Sequence, residues 1–324
     1  MLTAHEILNL VNDYLDHLPY DRKPQTLYAP IRYALSMGGK RIRPTLMLLA
    51  YNMFKDHPEQ ILSTACALET YHNYTLLHDD LMDNAKLRRG HLTVHQKWNA
   101  NTAILSGDSM LVLAYERMAQ CDPTKLKPIL DLFTETALEI GEGQQYDMDF
   151  EDRTDVKEEE YIEMIRLKTS VLLACALKMG AILADASDED ADLLYKFGEQ
   201  IGLAFQLQDD YLDVYGDTKV FGKVVGGDIL CNKKTYMLIK AFENADASQS
   251  QSLLEWVSKK SFDPAEKIAA VTKLYNDIGI DRLAQEKIDY YFQNSKKYLD
   301  AVDVPEGQKG ELREYAQRMM KRTY

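Results

Sequence analysis

Apolar residues recur at the spacing of an α-helix along almost the whole chain. The pattern covers residues 61–78, 101–119, 126–142, 158–184, 190–215, 233–245, 265–278 and 281–299. Alternating runs typical of strands are nearly absent, and glycine (16) and proline (9) are sparse for 324 residues. No linker rich in glycine, serine or proline divides the chain. The sequence therefore predicts one all-α domain over residues 1–324, a bundle of roughly ten helices.

The composition limits the classes of function. The formal net charge is −13 at pH 7, whereas phosphate backbones select basic surfaces, so we expect no nucleic-acid partner. The longest largely apolar stretch, 170–184, carries Lys178 and is too short for a transmembrane segment. The N-terminus lacks the pattern of a signal peptide. Widely spaced cysteines without CxxC spacing favour free thiols in a reducing compartment, and we expect a cytoplasmic protein.

An aspartate motif occurs twice, as LLHDDLMD at 76–83 and as QLQDDYLD at 206–213. On a helix, residues four apart share one face. Each motif therefore places two carboxylates side by side: Asp79 with Asp83, and Asp209 with Asp213. One such motif alone is more often a solvated helix end. Two copies flanked by apolar residues favour facing helices with a carboxylate-lined cavity between them.

These carboxylates suit a hard metal ion. A Cys/His set for zinc and the spacing of an EF-hand are both missing. Mg²⁺ characteristically takes one or two carboxylates and completes its shell with water and substrate phosphate oxygens. The repeated motif therefore predicts a magnesium site, with Asp80 and Asp210 beside the ligands. His72, two turns before Asp79, lies on the same helical stripe.

Basic residues follow a glycine pair in GGKRIRP at 38–44. The glycines let the backbone turn and approach a ligand, and Pro44 suits the first turn of a helix. This segment is either a surface turn or an anion site, and its spacing is not that of a P-loop. Further cations are Arg88 and Arg89 in KLRRG, Lys168 within an apolar run, Lys223 and Lys233. An unpaired ammonium at Lys168 would be costly, so we expect an anionic partner for it.

The motif order resembles that of the trans-isoprenyl diphosphate synthases, which include farnesyl and geranylgeranyl diphosphate synthases. The matching segments are GGKRIRP, ETYHNYTLLHDDLMD, RRG, LKTS, GLAFQLQDDYLD, FGK and NKKTY, from about residue 30 to 240. The resemblance implies helices around a deep central cavity and a homodimer. It also implies head-to-tail (1′–4) condensation of isopentenyl diphosphate with an allylic diphosphate.

The resemblance also implies a role for each matching residue. A cluster of about three Mg²⁺ ions on the allylic diphosphate would be held by Asp79, Asp83 and Asp209. Three further aspartates would be auxiliary ligands: Asp80, Asp210 and Asp213. The allylic diphosphate would also contact Arg88, Lys168, Thr169, Gln206, Lys223 and Lys233. Isopentenyl diphosphate would be held without metal by Lys40, Arg43, His72 and Arg89. A weaker hypothesis lets the basic end, Lys321-Arg322, close over this second substrate.

The implied chemistry ionises the allylic diphosphate, and the double bond of isopentenyl diphosphate attacks the carbocation. The Lys168 ammonium, the Thr169 hydroxyl and the Gln206 amide are the predicted catalytic groups. A proton then passes to the diphosphate, which agrees with the lack of a conventional general base in the sequence.

Two positions depart from the family pattern. His91-Leu92 stands before Thr93 where proline is common, and Asn232 precedes the lysine pair where glycine is usual. Neither is a proposed ligand, so these departures concern loop geometry.

In this family the product grows along the helix of the first motif, and bulky residues upstream form a floor. Tyr74 lies five positions before Asp79, Tyr71 eight before, and the small Thr75 four before. An aromatic residue at the fifth position resembles C20 enzymes, and Tyr71 is either a second floor that shortens the product to C15 or a core residue. Both lengths stay open.

Two other functions share part of this sequence pattern. A class I terpene cyclase shares the fold and the metal-triggered ionisation, but needs no site for a second substrate, and cations for such a site are present. A non-catalytic subunit of a prenyl synthase usually lacks aspartates or arginines that this chain retains. The sequence therefore favours a short-chain prenyltransferase.

Overall fold

The computed structural model describes residues 2–216 and 225–321. Lys223 and Arg322, two cations expected at the site, lie outside the described residues. The described chain is almost entirely helical and has one short antiparallel hairpin, β1 (Leu87–Arg88) and β2 (His91–Leu92). This confirms the all-α expectation.

The helices follow one another with short connections. In chain order they are α1 (Ala4–Asp16), α2 (Gln25–Ser36), α3 (Ile42–Phe54), α4 (Leu62–Met82), α5 (Val94–Lys97), α6 (Ala100–Met118), α7 (Leu126–Glu151), α8 (Glu158–Ile165), α9 (Val171–Leu183), α10 (Asp188–Tyr215), α11 (Gly227–Cys231), α12 (Tyr236–Asn244), α13 (Ala247–Ser258), α14 (Pro264–Ile278), α15 (Ile280–Ala301) and α16 (Glu306–Lys321). A 3₁₀ turn, Pro58–Ile61, precedes α4.

The described residues thus form more helices than the roughly ten expected. One reason is the short helices α5 and α11, which lie below the length at which periodicity is informative. A second reason is the segment 158–184, whose pattern is continuous although a π-helical turn, Arg166–Ser170, separates α8 from α9. Periodicity cannot register such a break, because both flanking helices keep their apolar spacing.

Helix α9 forms the centre of the bundle. It is buried on nearly all sides, and it packs against α3, α7 and α10. Close backbone approach depends on glycine at two positions next to the π-helical turn. A Cβ at Gly143 of α7 would collide with the backbone of Lys168, and one at Gly202 of α10 would lie 2.6 Å from Ser170 Cα. These contacts bring α7 and α10 onto the turn that carries Lys168 and Thr169.

The two aspartate motifs lie at the C-terminal ends of different helices. The first ends α4, which packs mainly against α6, and the second ends α10, which packs mainly against α15 and α9. No helix among the described residues is long and apolar enough to cross a membrane.

Candidate active site

The GGKRIRP turn is held by the one of its three cations for which we expected no ligand. Gly38 and Gly39 both have positive φ, and Arg41 adopts the left-handed conformation with φ 48°. The Arg41 side chain is buried and donates to Glu69 Oε1 and to the carbonyl of Leu35, each at 2.8 Å. A buried arginine that donates to two acceptors fixes the turn. The turn then determines the directions of the neighbouring side chains, Lys40 and Arg43.

Arg43 and His72 lie in the positive field of this turn. Burial and the neighbouring Arg89 lower the pKa of Arg43 to about 10, although Glu69 opposes the shift. The buried Nε of Arg43 finds no hydrogen-bond partner among the described residues. Burial, with the surrounding arginines, holds the pKa of His72 well below its usual range, so the imidazole is neutral. Arg43, His72 and the neighbouring arginines form a desolvated cationic cluster with an unused donor, which is chemistry that suits an anion.

The RRG hairpin contacts the GGKRIRP turn through Arg89. Arg89 has φ 52°, and its guanidinium donates to the carbonyl of Gly38. A Cβ at Gly39 would lie 2.7 Å from Arg89 Nη1, so a larger residue there would displace the Arg89 side chain. The structure therefore places Arg89 beside Arg43 and the GGKRIRP turn.

Asp80 and Arg88 form an ion pair across the base of the hairpin. The Arg88 Nε donates to both Asp80 oxygens at 2.9 and 2.8 Å, and Asp80 is 5% exposed. Asp80 therefore orients Arg88, a role that the sequence did not suggest. Its place among the metal ligands stays a prediction.

The first motif leaves two carboxylates available. Burial raises the pKa of Asp79, and the like charge of Asp83 adds to the shift, while Lys168 opposes it. Neither carboxylate makes an ion pair or a side-chain hydrogen bond with the part of the chain that the structure describes. A partly desolvated pair of carboxylates is stabilised by a cation placed between them.

The second motif uses its aspartates in different ways. Asp213 accepts the backbone N–H of Asp228 at 2.9 Å and thereby ties the end of α10 to the start of α11. Asp209 is half-buried on the same helix. Asp209 and Asp213 each also interact with another group, so neither is without a partner. Asp210 points into the core and is 5% exposed.

Asp210 is the centre of a hydrogen-bond chain. The Tyr161 hydroxyl donates to one of its oxygens, and Gln206 Nε2 donates to the other at 3.0 Å. The Thr169 hydroxyl in turn donates to Gln206 Oε1 at 3.2 Å. Burial, together with the charge of Asp228, raises the pKa of Asp210 to about 7. This chain, the Tyr161 chain, fixes the two oxygen-bearing groups expected to face the carbocation. The sequence did not point to Tyr161, which belongs to no motif.

Lys168 has the anionic partner that its apolar surroundings predicted. Its Nζ lies 2.6 Å from Asp147 Oδ2 on α7. Burial opposes the charge of Asp147, but Lys233 and Lys168 more than offset it and lower the pKa of this carboxyl. Burial likewise opposes the charge of Lys233, yet Asp147, Asp228 and Asp210 raise its pKa. Asp147 therefore joins two predicted phosphate-binding cations. Sequence reasoning missed it, and the cost of burying Lys168 was the one signal.

Aromatic rings line α4 upstream of Asp79. The Tyr71 and Tyr74 centroids are 5.5 Å apart, and Tyr71 also meets Phe133 of α7 at 5.0 Å. Tyr71 is 2% exposed and is part of the core, whereas Tyr74 is partly buried at its edge. Thr75 turns its hydroxyl to the carbonyl of His72 at 2.9 Å. The two tyrosines therefore form a continuous aromatic surface one helical turn above the aspartates.

The residues that could hold a metal lie at the C-terminal ends of α4 and α10. Among the described residues, no three His, Cys, Asp or Glu side chains are arranged to hold a metal ion. The oxygen donors nevertheless fit Mg²⁺, which needs only one or two carboxylates when phosphate oxygens complete its shell. The available Asp79 and Asp83 satisfy that requirement on one wall.

Comparisons with known proteins agree with this geometry. The family model described as polyprenyl synthetase matches residues 24–277. The geranylgeranyl diphosphate synthase of Methanosarcina mazei is 39% identical over 317 residues, 97% of this chain and 95% of the relative. A crystal structure of a geranylgeranyl pyrophosphate synthase superposes with TM-score 0.95 at 41% identity, covering 99% of both chains. The Corynebacterium glutamicum geranylgeranyl pyrophosphate synthase, complexed with isoprenyl diphosphate and magnesium, has TM-score 0.86 at 27% identity over 98% of both chains. The chain therefore belongs to the polyprenyl synthetase family.

Proposed function

We propose that this prenyltransferase condenses isopentenyl diphosphate head-to-tail with an allylic diphosphate and releases a C15 or C20 all-trans prenyl diphosphate. One observation carries the proposal. Two separate groups of cations flank the first aspartate motif, one at the GGKRIRP turn and one formed by Lys168 and Lys233. Two anionic substrates account for both groups, whereas a reaction of one diphosphate would leave the turn without a use.

The metal in this proposal is Mg²⁺, as a cluster of about three ions with substrate bound. Asp79 and Asp83 on one wall and Asp209 on the other would hold it, with Asp80, Asp210 and Asp213 as auxiliary groups. Bound Mg²⁺ supplies positive charge that stabilises the leaving diphosphate. The raised pKa of Asp79, whose carboxylate is partly desolvated, supports this assignment.

The residues around the allylic diphosphate bind it and orient the groups that face the carbocation. Arg88, Lys168 and Lys233 hold diphosphate oxygens, and Lys223 is expected to join them from outside the described residues. Gln206 and Thr169 present their oxygens to the developing carbocation, and the Tyr161 chain keeps them from rotating. The proton released on condensation goes to an oxygen of the diphosphate, because ionisation of the allylic substrate releases this anion beside the carbocation and the reaction thereby supplies its own base.

The second substrate binds without a metal ion. Arg43 and Arg89 supply guanidinium donors, Lys40 an ammonium, and neutral His72 a ring N–H. Lys321 is exposed at the end of α16, which is compatible with a basic end that closes over this substrate.

Product length depends on the aromatic surface above Asp79. Tyr74, at the edge of the core, meets the growing chain first, and the buried Tyr71 lies behind it. The similarity to geranylgeranyl diphosphate synthases supports C20, with C15 as the alternative. Replacing Tyr74 by Ala is expected to lengthen the main product by at least one C5 unit, whereas the exposed Tyr290→Ala should not change it. An unchanged product would remove Tyr74 as the floor.

We also propose a single-domain chain that forms a homodimer in the cytoplasm. Ile104, Leu105 and Val112 leave an exposed apolar strip on α6, which supports a self-contact. The four cysteines are free, which supports a reducing compartment. Sedimentation of the purified protein near the monomer mass of 37.1 kDa would contradict the dimer.

A product assay tests the proposed function directly. Purified protein receives Mg²⁺ and isopentenyl diphosphate with dimethylallyl, geranyl or farnesyl diphosphate, and products are dephosphorylated and sized by mass spectrometry. The expected result is a C15 or C20 alcohol that disappears with EDTA. A cyclic hydrocarbon would indicate the cyclase, and no product with any starter would indicate the non-catalytic subunit.

A further inference from the structure

Lys267 on α14 is a fully buried lysine outside the site described above. Its exposed fraction is 0%, and its Nζ lies 4.2 Å from the centroid of the Phe262 ring. Among the described residues it makes no ion pair with a carboxylate. Burial lowers the pKa of its ammonium. A buried cation without a carboxylate is costly, so its hydrogen bonds indicate what it is for.

The Lys267 ammonium donates to the end of α11. Its acceptors are the carbonyl of Leu230 at 3.3 Å and Asn232 Oδ1 at 2.7 Å. Carbonyls at a helix C-terminus carry partial negative charge and lack partners within the helix. Lys267 supplies such a partner and binds the residue that follows the helix.

Asn232 needs this support because of its backbone. It has φ 54°, in the left-handed region that glycine adopts without cost. Its side chain is held at both ends, since Nδ2 donates to the carbonyl of Val257 at 3.1 Å while Oδ1 accepts from Lys267. The asparagine therefore takes a conformation suited to glycine, with its side chain clamped.

The clamped turn leads directly into Lys233. The Lys233 N–H donates to the carbonyl of Asp228 at 2.9 Å, and its own carbonyl accepts from Thr235 at 2.8 Å. Its ammonium lies in the field of Asp147, Asp228 and Asp210. The conformation at Asn232 therefore determines where the Lys233 side chain starts and which carboxylates it faces.

We propose that Lys267 is a positioning residue: it clamps the Asn232 turn and thereby aims Lys233 at the allylic diphosphate. The inference rests on the proposed role of Lys233 and extends it to a residue far from the substrate. A purely structural lysine would stabilise α14 without affecting one substrate more than the other.

Steady-state kinetics of the full-length protein test this with four variants. Lys267→Met removes the donor and keeps the chain length, and Asn232→Gly removes the need for the clamp. The double variant combines them. Lys273→Met, on the same helix but exposed and paired with Asp277, is the matched control. For each, KM for geranyl diphosphate, KM for isopentenyl diphosphate, kcat and Tm are measured.

We expect Lys267→Met to raise KM for geranyl diphosphate about tenfold and KM for isopentenyl diphosphate less than about twofold, with Lys273→Met unchanged. The double variant should recover most of the loss, because glycine adopts the left-handed conformation without strain and so depends less on the clamp. Equal rises for both substrates, or no recovery in the double variant, would overturn the inference. If Lys267→Met does not fold, Asn232→Ala tests the same turn, and an unchanged geranyl diphosphate KM there would overturn it.

Lys233→Met separates this inference from the function on which it rests. A large rise in geranyl diphosphate KM in Lys233→Met without one in Lys267→Met contradicts the clamp alone. An unchanged KM in Lys233→Met removes the proposed role of Lys233 itself.

Discussion

Removing the Tyr161 hydroxyl is the sharpest test of the candidate site. Tyr161 is 1% exposed, and its hydroxyl donates to the buried Asp210, which also accepts from Gln206. Tyr161→Phe keeps the ring and its packing and removes only this donor. The Asp210 carboxylate then accepts one fewer hydrogen bond. It can therefore rotate away from Gln206.

The size of the effect follows from the burial of the pair. A hydrogen bond to a charged group contributes about 1.5–3 kcal/mol, which is lost when the buried acceptor finds no substitute. Unfolding entropy is about 2.1 cal/mol/K per residue, roughly 0.7 kcal/mol/K for a chain of 324 residues. We therefore expect Tm to fall by about 2–4 °C. Because Gln206 also loses its fixed orientation, kcat should fall about tenfold with KM values little changed.

The assay compares Tyr161→Phe with Tyr275→Phe by calorimetry and by steady-state turnover. Tyr275 is 3% exposed, and its hydroxyl makes no hydrogen bond with a residue in the described ranges 2–216 and 225–321. The control therefore removes a buried hydroxyl of the same size without breaking a chain. Equal kcat values for the two variants would refute the argument that Tyr161 orients Gln206. A wild-type Tm in Tyr161→Phe would refute the hydrogen bond itself.

Three further predictions concern charge. Because the folded-state pKa of Asp210 is about 7 while its unfolded value is the ordinary one near 3.8, the folded state holds this proton more tightly. The stability that this proton contributes is present at low pH and is lost as pH rises towards 7. Urea unfolding of the metal-free protein should therefore show that the free energy of unfolding falls more from pH 5 to pH 8 in the wild type than in Asp210→Asn. Asp79→Ala should lower Mg²⁺-dependent turnover by more than about a hundredfold. Arg89→Ala should raise KM for isopentenyl diphosphate about tenfold and that for the allylic substrate much less.

A specific result would refute each of these three predictions. Parallel pH profiles of the wild type and Asp210→Asn would show that Asp210 does not titrate in this range. Near-normal Mg²⁺-dependent turnover in Asp79→Ala would end its assignment as a ligand. A larger effect of Arg89→Ala on the allylic substrate would mean that the two diphosphate sites are exchanged.

Individual residues show how far sequence reasoning reached at the site. The anionic partner of Lys168 was expected from the cost of a buried ammonium, but its identity, Asp147, lies 21 positions away on α7 and in no motif. Arg41 and Arg43 look alike in GGKRIRP, yet Arg41 is the buried anchor of the turn and Arg43 belongs to the cationic cluster with Arg89. Sequence spacing cannot separate them, because the left-handed backbone at Arg41 decides the direction of each side chain.

The helical pattern and the motif order of the sequence determined the all-α fold, the family and the two groups of charged residues. These depend on local periodicity and on residue types, which are readable along one chain. The tertiary structure alone decided the π-helical turn at Arg166–Ser170, the pairing of Asp80 with Arg88 and the clamp of Lys267 on Asn232. The turn packs against the backbones of α7 and α10 at Gly143 and Gly202, and burial determines the partners that Asp80 and Lys267 must take. Such contacts depend on how segments meet in space, which residue types along one chain do not show.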